Sequence, residues 1–251
     1  MPENRAAAVT FGFTPGDVVV VTGAASGIGR AIALMASRLA LRVAVWDIDA
    51  AGAVRTADDI EAAGGIAVAC SVDVTSRAQV AEALDESARL GPMRHLVNNA
   101  GPASSSELGF DEGVAASLGS MRSVAHTWLD SWAAADATLV SVASVAGNIV
   151  GTDPDWYSAA KAGIVGYTRH LAAYRSDRVR ANAVGPGMVD TPRVAGFAAT
   201  ELGAQVLSRI PAGRMGRPED IANVALFLLS PLAGYVNGAF IPVDGGWTIH
   251  Q

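Results

Sequence analysis

The chain predicts an α/β fold, a doubly wound and mostly seven-stranded parallel sheet with helices on both faces, formed by one domain. Three observations carry this. Short apolar runs alternate with helical patterns along most of the 251 residues, which is the mark of βαβ units and a parallel sheet. The first run, Val18-Val19-Val20-Val21, is apolar at successive positions, as a strand covered on both faces must be. Hydrophobic residues make up 51% and charged residues 17%, enough for a large core and against disorder.

In order, residues 1–16 read as an arm ending at Pro15-Gly16, and a strand follows over 17–22. A glycine-rich turn at 23–29 opens a helix that runs to Leu41. Strand and helix then alternate: strand 42–47, helix 50–63, strand 66–71, helix 76–90, strand 93–98, helix 111–132, strand 138–142, helix 155–175 and strand 178–184. Residues 185–217 break the rhythm, and about 188–217 reads as a lid over a substrate. Pro218 suits the first position of a helix over 218–230, and 239–243 is the last strand. Right-handed crossovers place the helices on both faces. With no linker and no repeat of fixed period, 1–251 is read as a single domain.

The bulk properties narrow the function. Net charge is −6 with no basic run, so nucleic acid is not an expected partner. The arm carries Glu3, Asn4 and Arg5 without a long apolar segment, so no signal peptide is expected. No apolar stretch approaches ~18 residues, so no membrane span is expected. Cys70 is the single cysteine, which excludes an internal disulfide framework and fits a reducing, cytoplasmic location. It lies in an apolar run, 66–70, and reads as core packing. His95, His126, His170 and His250 are scattered without ligand spacing, so no metal is expected.

Gly23, Gly27 and Gly29, with Ser26 and Ile28 between them, join a strand to a helix, where backbone amides and the helix dipole can hold a pyrophosphate. Glycines at such a turn also serve plain turn chemistry, and their spacing is not that of the common dinucleotide fingerprint. Asp47 ends the second strand 18 residues after Gly29, where an acid can bond ribose hydroxyls. The same carboxylate repels a 2′-phosphate, and no basic residue at Ala24, Ala25 or Ile48 offsets it. NAD is therefore expected over NADP. A turn or N-cap role within 47–49 is the plainer alternative for Asp47.

Tyr157 and Lys161 are four apart and share one helix face. Of 18 basic residues, Lys161 is the only lysine. An ammonium beside a phenol favours the phenolate, so the tyrosine is expected to have a lowered pKa suited to acid/base work. A chance pair on a surface helix is the alternative.

Further motifs accompany these: TGAASGIG at 22–29, Asp73-Val74, NNAG at 98–101, and Ser144 within SVASVAG. YSAAK at 157–161, NAVGPG at 182–187, Thr191, RMGRPEDIA at 214–222 and Asp244-Gly245-Gly246 follow in that order. With them the chain resembles the short-chain dehydrogenase/reductase family, and hence the Rossmann fold, across residues 15–249. The resemblance implies a cofactor site formed by Gly23, Ser26, Gly27, Ile28, Gly29, Asp47, Ile48, Asp73, Val74, Asn99, Gly101, Pro186, Gly187, Val189 and Thr191. Asp73 and Val74 would border the adenine, Asn99 would stabilise the cleft, and Val189 and Thr191 would meet the nicotinamide amide. Tyr157 would exchange a proton with the substrate oxygen, Ser144 would polarise that oxygen, and Lys161 would bond the nicotinamide ribose while lowering the phenol pKa. Ser117 stands where the family usually has an asparagine that supports a helix kink and a water link to the lysine. A homotetramer built through helices 111–132 (with Trp128 and Trp132) and 155–175 is implied, with the segment 247–249 as a further interface element.

The expected pocket is lined by Ile149, Val150, Trp156, Met188, Val194, Phe197 and Leu202, with Arg193, Asp153 and Asp155 as its charges. Such a lining suits a small neutral, largely apolar alcohol or ketone. Arg193 can clamp a carboxylate or simply sit on the rim. The reading is an NAD-dependent oxidoreductase of secondary alcohols and ketones. A sensor that binds NAD(H) without turnover is the alternative Ser117 points to. An epimerase or dehydratase would want a larger substrate domain after residue 190 than the chain provides.

Overall fold

The computed structural model describes residues 11–249, with the side chains of Ala198 and Leu202 also outside the description. The expectations for residues 1–10, Leu202 and His250 fall outside the described residues. Seven strands are present: β1 (Val18–Thr22), β2 (Arg42–Asp47), β3 (Ala67–Ser71), β4 (Met93–Asn98), β5 (Ala133–Val142), β6 (Val179–Pro186) and β7 (Phe240–Val243). They form one parallel sheet in the order β3-β2-β1-β4-β5-β6-β7. The order reverses between β1 and β4, which opens a crevice at the carboxyl edge of the sheet.

The helices are α1 (Gly27–Arg38), α2 (Ala50–Ala62), α3 (Arg77–Ala88), α4 (Phe110–Val114), α5 (Ser120–Ser131), α6 (Asp155–Tyr174), α7 (Glu201–Ser208) and α8 (Pro218–Leu229). The alternating side chains of β1 explain the layers. Val19 and Val21 join Ile32 of α1, Ile60 of α2 and Leu226 of α8 in one buried layer. Val18 and Val20 join Leu84 of α3 and Leu129 of α5 in the other. A run of valines is what a strand buried on both sides requires. Helix ends are fixed locally: Asp49 caps α2 at Gly52 N, Thr200 caps α7 at Gly203 N, and Asp220 of α8 accepts from Arg217 N at 2.7 Å. Arg180 of β6 donates to Leu229 O and Ser230 O, placing a cation at the carboxyl end of α8.

Four features differ from the sequence expectation. β5 starts at Ala133 rather than 138, because Ala133-Ala134-Ala135 has little strand propensity of its own and is recruited by β4 through Ala133 opposite Met93. The helix expected over 111–132 is broken by a π turn, Ala115–Gly119, between α4 and α5. α7 lies inside the stretch expected to be irregular, its start set by the Thr200 cap. Trp128, expected on an interface, is fully buried in the layer shared with α3, while Trp132 is only partly buried and bonds Asp85 at 3.1 Å. Among the described residues no helix is long and apolar enough to cross a membrane.

Candidate active site

The carboxyl ends of β1, β4, β5 and β6 bring the site together. At β1, Thr22 and Asn99 lock the glycine-rich turn: Asn99 Nδ2 donates to Thr22 O at 2.9 Å and Gly23 O at 3.1 Å. Thr22 Oγ1 in turn accepts from Asn99 N and Ala100 N. Gly27 sits at φ +54, a conformation side-chain-bearing residues rarely adopt, and Thr191 of the lid lies directly over it. A Cβ on Gly29 would fall 2.1 Å from Gly23 O, so α1 can start this close to β1 only with glycine there. Ser26, the N-cap of α1, makes no side-chain cap bond, which leaves the first amides of the helix to face a ligand.

These residues border a cleft of about 380 Å³ lined by Gly23, Ser26, Gly27, Ile28, Asp47, Ile48, Asp73, Val74, Asn99, Gly101 and Thr191 among others. Most of the residues expected to hold a dinucleotide therefore share one cavity. Gly29, Pro186, Gly187, Val189, Tyr157 and Lys161 are not among the residues that line it. Val189 in particular turns its side chain into the α1–α8 layer, being 6% exposed, so only its backbone is left to meet a ligand. The donor set fits a nicotinamide dinucleotide: uncapped helix amides for a pyrophosphate, and a carboxylate at the far end. Asp47 Oδ2 accepts from Ala25 N at 2.9 Å and Oδ1 from Asp49 N at 3.0 Å, so it holds the turn as well as facing the cleft. Asp73 likewise binds its own turn through Thr75, which holds its carboxyl below the ordinary range.

Beside the cleft, the loop after β5 and the first turns of α6 place Ser144, Tyr157 and Lys161 together. Lys161 Nζ donates to Val142 O at 3.0 Å and lies 5.6 Å from the centre of the Tyr157 ring. The amine is buried, and burial with the positive charge of Arg193 pushes its pKa down to about 7. The Tyr157 phenol is raised above its ordinary value, chiefly by burial, with hydrogen bonding by Ser144 and the charge of Arg193 pulling the other way. This corrects the expectation that Lys161 lowers the phenol. Both groups have lost water, and an amine that is itself losing its proton near neutrality is a weak counter-charge.

Ser117 is buried at the centre of the π turn, near Gly101 and so on the side of the cleft. The turn forms without an asparagine amide. Ser120 Oγ satisfies the displaced carbonyls, donating to Ala116 O at 2.6 Å and Ser117 O at 3.0 Å. Trp156, expected on the pocket wall, is buried against Gly113 of α4, its ring at 77° to that of Tyr157. Ile149 is exposed, and Val150, Met188, Val194 and Phe197 are half-buried.

The sequence reading missed Asn148. Its Nδ2 donates to Ser144 O at 3.0 Å and Lys161 O at 3.1 Å, tying the loop after β5 to α6. The only signal was a polar residue four positions after Ser144. Cys70 is buried with its thiol pushed up to about 11, as a packing residue would be. Among the described residues no cluster of three or more His, Cys, Asp or Glu side chains is placed to hold a metal.

Residues 23–248 match a family model described as enoyl-(acyl carrier protein) reductase. A cis-4-hydroxycyclohexanecarboxylate dehydrogenase of Sinomonas cyclohexanicum is 38% identical over 245 residues, covering 92% of this chain and 96% of that protein. A 7α-hydroxysteroid dehydrogenase solved with NADH and 7-oxo glycochenodeoxycholic acid superposes with a TM-score of 0.83 at 30% identity, covering 92% of this chain and 94% of that one. A protein of Beutenbergia cavernae solved with bound NADP gives a TM-score of 0.83 at 35% identity, covering 96% and 100%.

Proposed function

The chain belongs to the short-chain dehydrogenase/reductase family and is an oxidoreductase of it, and from that premise we propose that it interconverts a secondary alcohol and a ketone with NAD as its preferred cofactor. The observation that supports this most is the convergence of Ser144, Tyr157 and Lys161 beside a cleft whose walls suit a dinucleotide. When bound, the nicotinamide accepts hydride from the alcohol carbon or supplies it to the carbonyl.

The protein's part is to move and steady a proton. In reduction, the neutral Tyr157 phenol donates to the carbonyl oxygen as negative charge builds there, and the Ser144 hydroxyl is a second donor to the same oxygen. In oxidation, the phenolate takes the hydroxyl proton. Lys161, held by Val142 O, has N–H groups left to bind a ribose and lies 5.6 Å from the centre of the Tyr157 ring. Asn148 holds Ser144 and Lys161 in register from behind. Because burial raises the phenol, oxidation is expected to speed up as pH rises while reduction does not.

The Asp47 carboxylate on the adenosine side supports NAD over NADP, since it accepts ribose hydroxyls and repels a 2′-phosphate. The substrate is a small, largely apolar alcohol or ketone, and the ring compounds named for the relatives favour a cyclic one. A homotetramer is proposed, supported by the Tyr167, His170 and Tyr174 row on α6, where Tyr174 is 76% exposed. The single buried cysteine supports a cytoplasmic setting. Since the π turn at Ser117 is formed, that serine alone gives no ground for a sensor without turnover. A panel of cyclic secondary alcohols with NAD, followed by NADH absorbance, tests the reading: turnover of at least one is expected. Binding of NADH with turnover of none would remove its support.

A further inference from the structure

Tyr157 stands in the first turn of α6, where the leading amides of a helix have no partners within it. The N-cap, Pro154, makes no side-chain cap bond, and Asp155 Oδ1 accepts from Trp156 N at 2.7 Å. Both chain neighbours of Tyr157 tie this turn to other elements. Ser158 Oγ donates to Thr152 O at 2.9 Å and accepts from Thr152 N at 3.2 Å. The Trp156 indole fills a notch at Gly113 of α4, where a Cβ would fall 2.3 Å from its Cδ2, 2.5 Å from Cγ and 2.6 Å from Cε3. The docking is reciprocal, because Leu118 of the π turn enters α6 at Gly163, a Cβ there falling 2.5 Å from Leu118 Cδ2. Tyr157 and Lys161 lie between these two contacts along α6. Trp46 and Trp128 are as deeply buried, but Trp156 is the tryptophan whose ring lies against Tyr157, with centroids 5.6 Å apart at 77°. Its Nε1, like that of Trp128, has no acceptor among the described residues, so the indole N–H adds no stability there.

We infer that Trp156 is a positioning residue: seated in the Gly113 notch and set against the Tyr157 ring, it fixes the orientation in which the phenol oxygen meets the substrate oxygen. This rests on the dehydrogenase reading above and adds to it a group that acts only through Tyr157. A rigid indole suits the task, since aromatic pairs hold a narrow set of geometries. A misplacement of about 1 Å at a reacting group costs on the order of 10²-fold in rate. Plain core packing is the competing account, and under it turnover would fall only as the fold does. Trp156 is not among the residues that line the dinucleotide cleft, so a positioning role acts on kcat and leaves the cofactor's affinity alone.

The test compares the wild type with Trp156→Leu, Trp156→Phe and Gly113→Ala on the panel of cyclic alcohols. Trp156→Leu should lower kcat about 10-fold, with KM for the alcohol and NADH affinity within about 2-fold of the wild type. Trp156→Phe should recover most of that kcat, because a ring again lies against Tyr157, and its melting temperature should stay close to that of the wild type. Gly113→Ala alters neither ring and only fills the notch, so it should lower kcat by displacing the indole. Turnover by Trp156→Leu within about 2-fold of the wild type would overturn the role, as would kcat, NADH affinity and melting temperature falling in parallel across the variants. Where Trp156→Leu does not fold, Gly113→Ala decides by the same criteria. NMR relaxation of isotope-labelled tyrosine rings needs no turnover. The chain has four tyrosines, and the Tyr157 signal is the one missing from Tyr157→Phe. Greater motion of that ring in Trp156→Leu supports the role, and unchanged motion overturns it. If the wild type oxidises none of the panel while that change in motion is seen, the dehydrogenase reading fails and the positioning contact stands.

Discussion

The two sides of the cleft are built on different principles. Around the glycine-rich turn, backbone and side-chain groups satisfy one another: Asn99 on Thr22 O and Gly23 O, Thr22 Oγ1 on two amides, both Asp47 oxygens on backbone N–H groups. Space is so tight that hydrogen is the only side chain accepted at Gly29. Around Tyr157 space is also tight, a Cβ on Gly147 falling 2.1 Å from Ser158 O, but charge is under-compensated. Lys161 has one carbonyl for a partner, Arg193 has another, and the two cations act on each other. The first side is defined by a closed set of hydrogen bonds, the second by two basic groups without a carboxylate partner. The first should respond to added atoms and the second to altered charge.

The largest effect on the steric side is expected from Gly29→Ala. The new methyl meets backbone on both sides and no rotamer relieves it, so the fold should lose about 3 kcal/mol or more, with NADH binding lost in the same variant. Thermal melts and NADH fluorescence measure both, and an unchanged melt would show the turn to be looser than its geometry.

On the charged side, stability should follow the Lys161 proton. The pKa is about 7 in the fold and about 10.5 unfolded, so between those values the unfolded chain holds a proton the fold has released. This group's contribution to stability therefore rises as pH climbs from 7 toward 10.5, and Lys161→Met should remove that rise in urea melts. As the only lysine, Lys161 gives a single side-chain NMR signal, and a midpoint near 10.5 would contradict the burial argument.

A smaller change is expected for Asp47→Ala, which should narrow the NAD over NADP preference by roughly 10-fold through loss of a charge-assisted bond and of repulsion. An unchanged ratio of kcat/KM values would restrict Asp47 to its turn. Smallest of all, Asn148→Ala removes two hydrogen bonds behind the site and should cost about 1–2 kcal/mol of stability with a several-fold fall in kcat. NADH affinity should hold, and the effect on kcat, not the melt, distinguishes positioning from simple packing.

What the sequence made legible follows from distance along the chain. The valine run of β1, the glycine turn and Asp47 are a contiguous βαβ unit, and Tyr157 and Lys161 are one helical turn apart, so pattern alone locates them. Features that depend on a distant partner were hidden: Trp156 goes under because Gly113 makes room for it, and β5 lengthens because β4 recruits its alanines. Asn148 reaches Lys161 across thirteen positions, and Arg193 reaches Gly101 across 92. The direction of the Tyr157 shift was misjudged for another reason. Spacing places an amine near a phenol, but it does not reveal that both are stripped of water, and burial then outweighs proximity.

The proton-transfer role of Tyr157 is tested most directly by Tyr157→Phe, with turnover and NADH binding measured on the same preparation. Removing one hydroxyl leaves the ring against Trp156 and the cleft untouched. Turnover should fall by about 10³-fold or more at an NADH affinity close to that of the wild type. Turnover within a few-fold of the wild type would mean that another group moves the proton.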